Sequence, residues 1–290
     1  MSPDSTPPRL KVVTLNTWGR TDPWLARRAL IVAELARLEP DVIGLQEVWD
    51  GDDGNSAAEL VSQLGAPGAL GAPGREWHVH YAPAYEPQPG RTCGNAIVSR
   101  YPMLEREAWP LPEPRGDCGR NLVHAVVATP WGQLPVFVTH LSWMFHQSWA
   151  RLQQAQQVAA WIRERCPIQR GDAPTDVLPP VVMGDLNTEP DSDEIRFLRG
   201  QLADSRGCYL ADCFAIRGVG AGHTWHRNNV YAAREHYPNR RIDYIFVRAP
   251  DRWNRGEPLV ARVVFEQPSA DGVFASDHFG VYAELRATPP

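Results

Sequence analysis

Six times in this chain a short apolar run is bordered by a polar group able to do chemistry, and that recurrence constrains the fold more than any other feature. Val12 to Leu15 runs into Asn16, Val42 to Leu45 into Gln46 and Glu47, and Val136 to Thr139 into His140. Val181 to Met183 leads through Gly184 to Asp185 and Asn187, Asp243 heads Tyr244 to Val247, and Ser276-Asp277-His278 stands just before Val281 to Leu285. Ala96 to Val98, Val123 to Val127 and Ala261 to Phe265 repeat the apolar pattern. Runs this short, β-branched and bounded by polar residues read as buried strands. Polar groups at strand ends converge when the strands share sheets, and rigid elements hold a site more tightly than loops do.

Helices are fewer. Asp22-Pro23 ahead of Leu30, Ile31, Leu35 and Leu38 reads as N-cap, first helical residue and apolar face, with an end before Pro40. Ser56-x-x-Glu59 reads as a capping box opening a short helix that stops near Gly65. Ser148 opens a longer one, with Leu152, Ala155, Ala159 and Ile162 on one face; Asp191-x-x-Glu194 opens another that closes at Gly200. Pro/Gly-rich linkers are expected at 65–75, 84–92, 166–180 and 217–240. None of them separates compositionally distinct halves, so a tail over residues 1–8 followed by one domain over 9–288 is expected. Many short strands with irregularly interspersed helices imply a layered α/β or α+β sandwich, and no solenoid repeat is present.

Composition sets limits on partners. At 43% apolar and 22% charged residues, global disorder is excluded. A net charge of −5 and a single lysine, Lys11, argue against a protein that coats nucleic acid. Residues 1–8 carry no basic or apolar segment of a signal peptide, and no stretch is long and apolar enough to cross a bilayer, so a cytoplasmic location is expected. Five cysteines form no zinc-type pair and suit reduced, packed thiols, although a Cys93–Cys118 bridge stays open.

The residue types at the strand edges fit one chemistry. Asn, Glu and Asp oxygens suit a hard cation such as Mg²⁺, and imidazoles suit a phosphoryl group. A cation, a carboxylate base and two histidines together meet the needs of phosphodiester hydrolysis. The motifs L-N-T-W (15–18), L-Q-E-V (45–48), T-H-L (139–141), G-D-L-N (184–187), R-I-D-Y (241–244) and S-D-H (276–278), in this order, resemble the endonuclease/exonuclease/phosphatase superfamily. That superfamily includes deoxyribonucleases, abasic-site endonucleases, neutral sphingomyelinases and inositol-polyphosphate phosphatases. The resemblance implies a four-layered α/β sandwich of two packed, mostly antiparallel mixed sheets flanked by helices. It further implies Mg²⁺ (or Mn²⁺ or Ca²⁺) held by Glu47 with Asn16 and Asp277, and Asp185 orienting or deprotonating the attacking water. By the same resemblance Asn187 holds the phosphate or a second cation, His140 contacts the scissile phosphate, His278 and Asp243 form a dyad, Arg120 faces the phosphate, and Asn95 lies in a further matching strand.

Simpler readings hold elsewhere. Asp191 and Ser192 are expected to cap a helix. His223 and His226 are closely spaced in a Gly-rich loop without a cysteine, which disfavours zinc, and Gly218-x-Gly220-x-Gly222 precedes no helix that would make a dinucleotide loop. His78 and His80 suit a surface strand, and Trp149 and Trp161 suit packing. Trp143, Phe145 and Trp225 are candidates for an aromatic substrate rim. A metal-dependent phosphodiesterase acting on small or lipid-like esters is therefore preferred, ahead of a nuclease and a non-catalytic binding module.

Overall fold

The computed structural model describes residues 8–65, 76–114, 116–168, 175–205, 208–248 and 251–288; most of the expected tail and the 65–75 linker lie outside them. In chain order the elements are β1 (Arg9–Asn16), α1 (Trp24–Leu38), β2 (Val42–Asp50), α2 (Ser56–Leu64), β3 (His78–Gln88), β4 (Arg91–Ser99), β5 (Met103–Pro110), β6 (Asn121–Thr129) and β7 (Gly132–His140). There follow α3 (Ser148–Arg165), β8 (Val181–Asp185), α4 (Asp193–Leu198), β9 (Leu210–Asp212), α5 (Cys213–Arg217), β10 (Asp243–Arg248), β11 (Pro258–Val264) and β12 (Gly280–Arg286).

The strands form two six-stranded sheets, ordered β11-β12-β1-β2-β4-β3 and β5-β6-β7-β8-β10-β9. β1 pairs with β2 in parallel, and so does β7 with β8, while the other pairings are antiparallel. Parallel neighbours require a crossover, which α1 and α3 supply. Strand alternation then builds the layers. Val12, Val136, Val138, Met183 and Ile245 point between the sheets into a shared core. Their chain neighbours Val13 and Leu15 point outward to α1 and α2, and Phe137, Val182, Tyr244 and Phe246 point outward to α3 and α4. The result is the expected four-layered sandwich. The sheets approach so closely at Gly44 that a Cβ there would lie 2.9 Å from Val138 Cγ2. Removing most of one of these buried aliphatic side chains costs about 2–5 kcal/mol.

Several local expectations need correction. α1 begins one residue later than expected, with Pro23 as the N-cap and without a side-chain cap, so Asp22 caps nothing. α2 is capped by Asn55, whose Oδ1 accepts from the Ala57 and Ala58 amides; Ser56 instead accepts from the Trp49 amide. α4 starts at Asp193 behind Ser192, which makes no side-chain cap bond, and ends at Leu198. The 84–92 linker is the β3–β4 hairpin. Cys93 and Cys118 are both free thiols, which closes the bridge option, and Cys208 and Cys213 are buried as expected. Trp161 stacks on Trp109, but Trp149 is 57% exposed and does not pack. No helix among the described residues is long and apolar enough to cross a membrane.

Candidate active site

The four parallel strands run toward one rim of the sandwich, and their C-terminal ends deliver the polar residues there. β1 ends at Asn16, β7 at His140 and β8 at Asp185. β10 runs the opposite way and begins at that rim, so His140, Asp185 and Asp243 stand in one row across three strands. Asp277 and His278 precede β12, which is antiparallel to β1, and therefore arrive at the same place.

Two backbone irregularities aim the side chains. The pairing of β2 with β4 slips between Leu45 and Val48, and Glu47 sits in this bulge at φ 54°. Asn187 has φ 52° in the turn after β8, where its amide donates to Asp185 Oδ1 at 2.9 Å. Left-handed conformations cost non-glycine residues about 1–3 kcal/mol each, and surrounding contacts must hold them. Gly184 works by what it lacks. A Cβ there would meet the Thr139 carbonyl at 1.9 Å, so only glycine lets β7 and β8 close up beneath the site.

The side chains form one network across the two sheets. Asn16 Nδ2 donates to Glu47 Oε1 and to Asp185 Oδ2, both at 3.0 Å, and so ties β1 to β8. His140 Nε2 lies 3.4 Å from Asp185 Oδ2 and 2.9 Å from Asn187 Nδ2. His278 faces Asp185 Oδ2 with Nε2 at 3.7 Å, while its Nδ1 meets Asp243 Oδ2 at 2.9 Å. Thr224 Oγ1 accepts from the Ile242 and Asp243 amides, and the single Ser276 hydroxyl proton faces the Asn16 carbonyl at 2.7 Å, with Asp277 Oδ1 3.1 Å from the same hydroxyl oxygen.

Electrostatics separates the two histidines. Burial pushes the His140 ring well below its usual value, and Arg120 and His278 push the same way, so it is neutral near pH 7. Burial acts on His278 too, but Asp243 and Asp185, with the hydrogen bond to Asp243, raise its ring well above the usual value and keep it protonated. Burial and the Asp243 charge lift the Asp185 carboxyl to about 7, against the pull of His278 and Asn16. Burial lifts Asp277 to about 6, with Glu47 adding to it and His278 opposing.

The remaining expected residues lie around this centre. Arg120 is buried, with Nη2 3.3 Å from Asp117 Oδ1 and Nε without a protein partner. Asn95 donates to Asn121 Oδ1 at 2.6 Å and joins β4 to β6, which makes it a link between the sheets. Trp225 stands edge-on to His278 at 5.1 Å. Trp143 is 48% exposed on the loop after His140 and is not drawn into the hydrogen-bonded network.

Sequence reading missed Thr224, Asp117 and Arg27, and gave Ser276, the first residue of the S-D-H motif, no role of its own. Arg27 occupies the apolar face of α1 between Trp24 and Ile31, which was the available signal. Arg240 donates to Glu189 and to the Asn187 carbonyl beneath an aromatic contact with Phe145, and only the folded chain reveals that.

The donor set suits a hard cation. Asp185, Asp243 and His278 offer ligand atoms within 4.8 Å of one another, and Asp243 Oδ1 is buried without a protein partner. Because His278 is protonated and spends Nδ1 on Asp243, the oxygens of Asp185, Glu47, Asp277 and Asn16 are the better donors. Burial and the neighbouring carboxylates together favour a bound proton or a cation at such a cluster.

A family model described as the endonuclease/exonuclease/phosphatase family matches residues 13–278. The chain belongs to that family. An endonuclease/exonuclease/phosphatase protein from Beutenbergia cavernae is 26% identical, with a TM-score of 0.68 over 96% of this chain and 71% of that one. TDP2 from D. rerio, solved with a single-strand DNA product, is 22% identical at a TM-score of 0.70 over 96% and 98%. A family protein from Bacteroides vulgatus is 18% identical at 0.70 over the same shares. The last two likenesses bear on the fold alone. No curated protein sequence matches the chain. Family membership makes this a phosphoesterase fold, and the matched span contains every residue of the network described above.

Proposed function

We propose that the protein is a divalent-metal-dependent phosphodiesterase that hydrolyses small-molecule or lipid-like phosphodiesters by attack of water on phosphorus. One observation carries the reading: Asp185 is buried between two imidazoles in opposite protonation states, neutral His140 at 3.4 Å and protonated His278 at 3.7 Å. A bound cation supplies charge neutralisation to the phosphoryl oxygens, and Asn16, Glu47 and Asp277 are the residues that would hold it.

The chain's own groups supply the rest. Asp185 orients a water and accepts its proton as the new P–O bond forms, a role suited by a carboxyl poised near neutrality. His278, fixed by Asp243, presents its Nε2 proton to the phosphoryl group and stabilises charge that grows there. Asn187 and Arg120 add donors on the other side, and neutral His140 helps to fix Asn187. The ester P–O bond breaks, and the leaving oxygen takes its proton from His278 or from solvent.

The apolar rim supports the substrate class. Trp143, Phe145 and Trp149 are all about half exposed within seven residues, directly after the strand that carries His140. The chain's 28 arginines and one lysine are outnumbered by 34 acids, a balance unlike that of a surface built to track a polynucleotide. The nuclease reading keeps one observation in its favour, the related fold of D. rerio TDP2 holding a single-strand DNA product.

A substrate panel with Mg²⁺, Mn²⁺, Ca²⁺ and EDTA tests these readings. Bis-aryl phosphate and phosphocholine esters should be cleaved, with turnover abolished by EDTA and by Asp185→Ala or His278→Ala. Unchanged turnover in those variants refutes the residue roles. Salt-sensitive nicking of plasmid DNA without phosphodiester turnover transfers the assignment to a nuclease, and inactivity across the panel favours a binding module.

A further inference from the structure

Arg27 is the largest fully buried side chain among the described residues, and it forms no ion pair with any carboxylate. All five of its N–H groups instead donate to main-chain carbonyls. Nε reaches Thr21 at 3.0 Å, Nη1 reaches Thr17 at 2.8 Å and Ala275 at 3.0 Å, and Nη2 reaches Trp18 at 3.3 Å and Gly19 at 2.9 Å. Its guanidinium also lies 5.1 Å from the Trp18 ring centre and 5.4 Å from that of Trp24.

The acceptors fall in two segments only. Four lie in the loop after Asn16, where Trp18 is held at φ 55°, and the fifth is the residue before Ser276-Asp277-His278. A second strut runs alongside, from Ser276 Oγ to the Asn16 carbonyl. An aliphatic side chain would fill the same volume without burying a cation, a costly act unless each donor is used.

We propose that Arg27 is a positioning residue: its planar fork fixes the Asn16 loop against the Asp277 segment, and so sets the spacing of the oxygens that would receive the cation. This rests on the metal-dependent reading above. Burial lowers the guanidinium to about 10, and the Asp277 charge supports it most strongly, followed by Tyr231 and Glu47.

Charge and geometry predict opposite effects, which makes the inference decidable. As a charge alone, Arg27 repels a metal ion, and its removal would tighten binding. As a fork, it organises the donors, and its loss would weaken binding even when the charge stays. R27K keeps the charge and loses the fork, because an ammonium is a single point donor; R27Q loses both. Mn²⁺ affinity of the full chain is measured by calorimetry, beside Tm and the Mn²⁺ dependence of turnover.

Both variants should bind Mn²⁺ at least tenfold more weakly, with kcat recovering most of its value at saturating Mn²⁺. Wild-type affinity in R27K with only a lowered Tm overturns the inference, and so does tighter binding in R27Q. If neither variant folds, hydrogen exchange on the wild type decides. Amides of 18–22 and 275–279 should open together and gain protection together on Mn²⁺ addition, whereas independent opening overturns the inference. A wild type that binds no Mn²⁺ refutes the metal reading and this inference with it; bound Mn²⁺ with unchanged variants refutes the role of Arg27 alone.

Discussion

Replacing Asp185 by Asn should abolish turnover and yet make the metal-free protein more stable at alkaline pH. The carboxyl ionises near pH 7 in the fold against an ordinary value of 3.8. At 1.36 kcal/mol per pH unit, its ionisation at pH 8 destabilises the folded state by about 4 kcal/mol. The sign follows from linkage. A raised carboxyl is a penalty absent below about pH 4, growing as pH rises to 7 and constant beyond. An amide never ionises and escapes the penalty. One loss opposes the gain. With its oxygen accepting from the Asn187 amide, the new NH₂ faces Asn16 Nδ2 donor to donor, which costs about 1–3 kcal/mol. The attraction of Asp185 for protonated His278, 3.7 Å away, is already contained in the value near 7. The net is about 1–3 kcal/mol in favour of the variant at pH 8, or roughly 2–5 °C in Tm. At pH 4.5 only about 1 kcal/mol of the penalty remains, the loss cancels it, and the variant should be no more stable than the wild type. Thermal melts in EDTA from pH 4.5 to 8.5 check this, and a variant that melts below the wild type at every pH refutes the argument. Adding Mn²⁺ at about 100 times its Kd should lift the wild type by about 2.7 kcal/mol and the variant by less.

Two further substitutions probe the scaffold. His124 is buried with neither ring nitrogen hydrogen-bonded and Nδ1 3.5 Å from Glu107 Oε2, stacked between Trp109 and Phe137, and burial lowers it to about 4. A lowered histidine contributes stability that is full above pH 6.5 and lost as pH falls toward 4, so His124→Phe should flatten the acid side of the Tm profile; an unchanged acid limb would count against it. Gly184→Ala forces a Cβ onto the Thr139 carbonyl, and urea titration should show a loss of roughly 3 kcal/mol or more; a loss under 1 kcal/mol would mean that β7 and β8 separate easily.

How much of this was legible in the sequence varies by physical cause. Strand ends that carry Asn16, His140, Asp185 and Asp243 were readable because a buried strand is a short apolar run and the polar residue stands where it stops. β5, Met-Leu-Glu-Arg-Glu-Ala-Trp-Pro, escaped because an edge strand exposes most of its residues and needs no apolar run. The start of β3 was readable from His78 and His80, but its C-terminal half reads as a linker because of its prolines, which an edge position tolerates. Helix starts shifted by a residue or two because Asn55 and Ser56 are both competent caps and only backbone geometry chooses between them. The bulge that turns Glu47 inward, and the carbonyl cage around Arg27, are properties of packing with no local signature.

The Asn16 amide that joins Glu47 to Asp185 spans 169 positions of the chain, and the Ser276 hydroxyl bond to the Asn16 carbonyl spans 260. The Ser276 bond lies within one sheet, where β1 and β12 pair from Arg9 with Arg286, and it forms with that sheet. The Asn16 bond to Asp185 joins the two sheets and must await their docking. During refolding, far-ultraviolet ellipticity should return ahead of turnover, and recovery of activity is then a clock for the final docking of one sheet on the other.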